Sequence, residues 1–92
     1  MIKSFRSQHL EALWLNGRDV PYKTLTAKVI LRGLYALDVA TAPHDVAFIG
    51  NRFDEWIEDD VQRYGAMISE HWLISFSWSG AHALEVDLER ID

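Results

Sequence analysis

The feature that most constrains this chain is the stretch "HWLISFSWSG" at residues 71–80. Trp72, Ile74, Phe76 and Trp78 recur at every second position, with Leu73, Ser75 and Ser77 between them. A period of two sends successive side chains to opposite faces of a β-strand, so the four large apolar residues form a core-facing row. The two serines read as an exposed sheet surface, and Leu73 is the odd residue among them.

The flanking segments extend this into a meander. "GAMIS" (65–69) reads as a strand, Glu70-His71 as a tight turn and Ser79-Gly80 as another. Residues 82–89 form the last strand, with Leu84, Val86 and Leu88 alternating with Glu85, Asp87 and Glu89. Upstream, "RFDEWIEDDVQRY" (52–64) fits two patterns. Phe53, Trp56, Ile57, Val61 and Tyr64 make a helical stripe, but a strand from Arg52 to Ile57 followed by an acidic loop fits as well.

The N-terminal half has a helical period. "MIKSF" reads as a short first strand, and Ser7 is placed to cap a helix that carries Leu10, Leu13 and Trp14 and stops at Asn16-Gly17. Pro21 suits the start of a second helix. In that helix Ala27, Ile30, Leu31, Leu34 and Leu37 make an apolar stripe ending near Ala40. Gly33 within it lowers helix propensity by about 1 kcal/mol, which marks a place of close packing. "TAPHD" (41–45) breaks the helix, with room for one short helical turn, and Gly50-Asn51 is a turn. Two helices followed by an antiparallel sheet make an α+β domain spanning residues 1–92.

Composition narrows the function. Nine Lys plus Arg against fourteen Asp plus Glu give a net charge of -5, which weighs against a nucleic-acid binder outside a local basic cleft. There is no cysteine, so disulfide and thiolate chemistry are absent, as suits a reducing cytoplasm. No apolar run approaches the roughly 18 residues of a membrane span, and the N-terminus turns polar too early for a signal peptide.

The residues that carry chemistry are sparse. His9, His44, His71 and His82 are never at metal-ligand spacing. His71, in the turn beside Trp72, is the candidate general acid or base. Asp54, Glu55, Glu58, Asp59 and Asp60 invite a divalent metal, yet lack the ligand spacing and glycine of a binding loop and read as a solvated face. No metal or cofactor is expected. Trp14, Trp56, Trp72 and Trp78 read as core or half-core residues, with base stacking as the alternative. Arg6, Arg52 and Arg90 are the cations placed to meet phosphate or an acidic partner segment. No nucleophile triad, phosphate-cradling glycine loop or CxxC is present.

Several segments together resemble the HigB branch of the RelE/ParE toxin superfamily, the plasmid maintenance system killer proteins of bacterial toxin–antitoxin operons. "MIKSFR" opens in the manner of that family. "LDVATAPHDV" (37–46) is similar to its "LDAATSPEDL", "GNRF" (50–53) to its "GNRL", and "HWLISFSW" (71–78) to its "QWRICFRW". The tail "ALEVDLERID" (83–92) resembles "AYDVEIVDYH". The resemblance implies helices packed on a small antiparallel sheet, a strand rather than a helix at 52–57, and a HigA-like antitoxin as partner. It also implies ribosome-dependent mRNA cleavage, in which Lys and Arg hold the scissile phosphate and His, Asp or Tyr moves protons.

Position by position, that chemistry is replaced. Ile57 and Glu58 stand where the family has a lysine–glycine pair, Asp60 at a basic position, and Met67 and Leu73 at two arginines. Arg90, Ile91 and Asp92 stand at its terminal Asp-Tyr-His. Ile57, Met67 and Leu73 are therefore expected to form an apolar partner-binding patch on the sheet's outer face, or to be covered by a further helix or loop. The resemblance implies a toxin-like protein whose cleavage is weak or lost. Two alternatives stay open: an active endonuclease using His71, Arg52, Arg90 and Asp92, and a ParE-like inhibitor of another target.

Overall fold

The computed structural model describes residues 1–17, 27–47 and 52–91. The first helix, α1, spans Gln8–Asn16 and forms because both of its ends are capped. Ser7 is extended, and its Oγ accepts from the Leu10 N–H at 3.3 Å. At the other end Gly17 takes the left-handed conformation (φ 68°), and its N–H donates to the Leu13 carbonyl at 3.0 Å.

The second helix, α2, spans Ala27–Val39 and buries Ile30, Gly33, Leu34 and Leu37 against the sheet. Gly33 does mark close packing. A Cβ there would lie 2.6 Å from Ile74 Cδ1 and 2.9 Å from Ile68 Cγ2, so only glycine lets the helix axis come this near. The helix start suggested by Pro21 and the turn at Gly50-Asn51 fall outside the described residues. After α2, a 3-10 turn at Pro43–Val46 is held by Asp45. Its carboxylate accepts from the Thr41 and Ala42 N–H groups at 2.8 and 3.0 Å and from Thr41 Oγ1 at 2.9 Å.

Four strands follow: β1 (Phe53–Glu58), β2 (Val61–Met67), β3 (Trp72–Ser79) and β4 (His82–Arg90). They pair antiparallel in the order β1-β2-β3-β4. The helical option for residues 52–64 is thus excluded. The expected acidic loop shrinks to the two residues Asp59 and Asp60, both at positive φ (51° and 65°), the geometry of a tight hairpin turn that aspartate tolerates. As a result β2 begins at Val61, four residues earlier than the pattern "GAMIS" suggested.

The N-terminal segment lies parallel to β4. Bridges join Ile2 to Ala83 and Phe5 to Val86, and the Lys3 and Arg6 N–H groups donate to the Ala83 and Val86 carbonyls at 2.8 Å. The first strand read from "MIKSF" is therefore not formed as such: the segment is tied to β4 by two isolated bridges and stands outside the four-stranded sheet.

Strand β4 departs from simple alternation. The β3–β4 register slips between Ser75 and Ser77, and Glu85 sits at φ 50°. This bulge inserts one residue, so Ala83, Val86 and Leu88 face the core, while Leu84 pairs with Ser77 on the opposite side. Trp72, Ile74, Phe76 and Trp78 face the helices as the alternation demanded, packed with Leu10, Leu13, Ile30, Leu34 and Val86. Among the described residues no helix is long and apolar enough to cross a membrane.

Candidate functional site

The face of the sheet turned away from the helices holds the unusual chemistry. Antiparallel partners share a face, so the register places residues there without ambiguity. Trp56 lies opposite Arg63, Gly65 opposite both Asp54 and Ser75, and Leu73 opposite both Met67 and Glu89. Ser75 in turn faces Asp87.

Arg63 is the centre of this face and is 1% exposed. Its Nη1 donates to the Glu85 carbonyl at 2.9 Å and its Nη2 to Ser75 Oγ at 2.9 Å. The bulge at Glu85 thus has a role, supplying a carbonyl to a guanidinium from a backbone that also takes Ser4 Oγ on its N–H at 2.9 Å. Arg63 Nε has no hydrogen-bond partner among the described residues. Burial pulls the Arg63 guanidinium below the ordinary arginine range, as does the charge of Arg6, while Glu58, Glu89 and Asp87 act in the opposite direction.

Above this arginine runs an ion pair. Arg6 Nη1 lies 3.0 Å from Glu58 Oε2, and Trp56 Nε1 donates to Glu58 Oε1 at 3.4 Å. Arg6 follows the segment beside β4, whereas Glu58 ends β1 at the other margin of the sheet. For these two side chains to meet, the sheet must curl, and the curl closes the outer face over Arg63. The Glu58 carboxyl is held below the usual range, first by the Trp56 hydrogen bond and then by Arg6.

The second half of the face is apolar. Gly65 leaves a gap in β2, filled from one side by Leu73 and from the other by Trp56. A Cβ at Gly65 would lie 2.7 Å from Leu73 Cδ1 and 3.0 Å from Trp56 Cζ3. Leu73 is accordingly only 8% exposed, and Ser75 and Ser77 are buried as well. The expectation that the serines form an exposed surface is wrong, because the Arg63 side chain and the curl of the sheet cover Ser75 and Ser77 hydrogen-bonds the Leu84 carbonyl at 3.3 Å.

The site residues named from sequence scatter. Met67 and Leu73 are adjacent on the outer face, but Ile57 is not with them. It pairs with Gln62 on the helix side of the sheet and is 64% exposed, because Trp56 takes the outward position in β1. The expected three-residue patch is thereby corrected to a packed Met67–Leu73 pair. Of the cations, Arg6 reaches the outer face, Arg52 is bound to Asp54 (Nε–Oδ2 2.7 Å), and the Arg90 guanidinium lies 5.7 Å above the Trp72 ring. His71 is exposed in its turn, 3.9 Å from Glu70 Oε2, and Asp92 lies outside the described residues.

The acidic run is largely engaged: Asp54 with Arg52, Glu55 with His44 at 3.3 Å, and Glu58 with Arg6. Among the described residues no group of three His, Cys, Asp or Glu is gathered as metal ligands would be. Of the tryptophans, Trp72 and Trp78 pack against the core cluster, and Trp56 alone turns to the outer face.

Sequence reasoning missed Arg63. The signal was its position two residues before Gly65, which sets both on one face once the strand starts at Val61. Starting the strand at residue 65 hid it. No protein-family model and no curated protein matches the sequence.

Proposed function

We propose that this protein is a toxin-like component of a type II toxin–antitoxin pair, bound by a HigA-like antitoxin and acting through protein contact, with mRNA cleavage weak or lost. Two helices ahead of a four-stranded antiparallel meander support the RelE/ParE-like part of this reading, as does the N-terminal segment alongside the last strand.

The observation that carries the functional part is the closed state of the outer face. A cation that stabilises a scissile phosphate must be reachable and free of competing carboxylate. Arg63 is buried on Ser75 and the Glu85 carbonyl, and Arg6 is spent on Glu58. Leu73 fills the remaining space against Gly65 and Trp56. Among the described residues this face therefore presents no open cationic cleft, and His71 lies exposed in the turn before β3, 3.9 Å from Glu70 Oε2.

Induced expression in a bacterial host, with mapping of RNA 5′ ends during translation, tests this. The expected result is no new set of ribosome-phased mRNA ends, together with one-to-one copurification of a coexpressed helix-turn-helix antitoxin from the neighbouring reading frame. Growth arrest accompanied by phased ends means that cleavage is retained and the proposal fails. Arrest without phased ends points to another target, as for a ParE-like inhibitor.

A further inference from the structure

Helix α2 is apolar on two sides. One side, Ile30, Leu34 and Leu37, is buried against the sheet. The other carries Leu31, Tyr35 and Val39 at successive intervals of four residues, which stacks them along one stripe. Tyr35 is 62% and Val39 76% exposed, and Leu31 is half-buried. The stripe is anchored from α1 by Trp14, whose ring centroid lies 5.1 Å from that of Tyr35.

Lys28 and Arg32 lie on the same side of the helix, both exposed. Elsewhere in the described chain, arginines are occupied: Arg6 and Arg52 by carboxylates, Arg63 by burial, Arg90 by Trp72. Among the described residues no ion pair involves Lys28 or Arg32, although the chain carries a net charge of -5. Ten of the fourteen acidic residues lie from Asp54 onward, and α2 itself carries two cations and the single acid Asp38, so this stripe is a local basic and apolar surface on an acidic protein.

We infer that the outer face of α2 is a docking surface for a partner helix that presents apolar residues at intervals of four, flanked by Asp or Glu. Such a helix covers Tyr35 and Val39 and supplies the carboxylates that Lys28 and Arg32 lack. A second copy of this chain fits less well. Packing α2 against its own mate brings four such cations together, and the acid that α2 offers, Asp38, already accepts from the Ile2 N–H at 2.9 Å. This surface rests on α2 and its charges and is independent of the toxin-like reading.

The test uses the full chain and two synthetic amphipathic peptides of about four helical turns, with leucines at intervals of four, one flanked by glutamates and the other by lysines. Heteronuclear NMR titration is expected to shift the amides of Leu31, Arg32, Tyr35 and Val39. The glutamate peptide is expected to bind about tenfold tighter than the lysine peptide at low salt. Reversing both charges with Lys28→Glu and Arg32→Glu inverts that preference. Val39→Asp, at a residue that is 76% exposed, weakens both peptides while leaving the unfolding midpoint unchanged. Equal affinity for the two peptides, or shifts confined to other elements, overturns the inference. So does sedimentation as a dimer with the same α2 amides moving on dilution, or displacement of the glutamate peptide by an RNA oligomer.

Discussion

The packing of Leu73 against Gly65 can be tested by a double-mutant cycle. Leu73→Ala removes three carbon groups, and because the residue is 8% exposed nearly all of their transfer free energy is lost. At about 0.8 kcal/mol per group this is about 2.4 kcal/mol. Among the described residues no helix lies over that face, so solvent reaches the vacated space and the added cavity term is small, leaving a loss of about 2–3 kcal/mol. Gly65→Ala pushes a methyl to 2.7 Å from Leu73 Cδ1 and 3.0 Å from Trp56 Cζ3, an overpacking worth about 1–3 kcal/mol. In the Leu73→Ala background the shorter of these clashes disappears. The double variant should therefore be more stable than the sum of the single losses predicts, by about 1 kcal/mol. Urea unfolding followed by tryptophan fluorescence reads the cycle, with Leu73→Ala lowering the midpoint by about 1–2 M at unchanged slope. Additive single effects, together with a Leu73→Ala loss below about 0.5 kcal/mol, the size typical of surface substitutions, would show that Leu73 does not fill the gap at Gly65.

Other outcomes follow from the same geometry. Gly33→Val should destabilise the fold by more than about 2 kcal/mol, since even the first added carbon meets Ile74 and Ile68 inside 3 Å, and thermal unfolding reads it. Ser7→Ala should lower stability by about 1 kcal/mol through loss of the α1 cap, seen as faster amide exchange at Leu10. Asp45 has its carboxyl pKa held below the ordinary range by hydrogen bonds from the Thr41 backbone and hydroxyl and from Ala42. A depressed carboxylate stabilises the fold above the unfolded-state pKa of about 4, and this contribution is lost as pH falls through the lower folded value. Carboxyl carbon titration by NMR should show Asp45 and Glu58 as late protonators on acidification, and Asp45→Asn should flatten the acid limb of the stability profile.

Much of the fold was legible because its signals are local. The Ser7 cap, the Gly17 stop and the apolar stripe of α2 depend on residues within a turn of one another, and each appears where the pattern put it. Gly33 announced close packing because nothing else explains a glycine inside a helix core face. The two-residue period of residues 72–78 fixed which side of β3 meets the helices. The ambiguous stretch 52–64 required more than local pattern, since two acidic residues at positive φ make the hairpin turn that a helical stripe conceals.

The outer face depended on tertiary structure. Alternation says that Leu73, Ser75 and Ser77 point away from the core; it cannot say whether solvent is there. That was decided by the curl of the sheet, which brings Arg6 from beside β4 to Glu58 at the end of β1 and buries Arg63 beneath them. The bulge at Glu85 likewise has no signature in the run "ALEVDL", yet it moves Leu84 off the core face and aims a carbonyl at Arg63. By itself the sequence determined the secondary structure of the helices, the core face of β3 and the presence of Met67 and Leu73, uncharged side chains, on the outer face. Tertiary structure alone decided that the outer face is closed, because burial there comes from contacts between margins of the sheet some fifty residues apart in the chain.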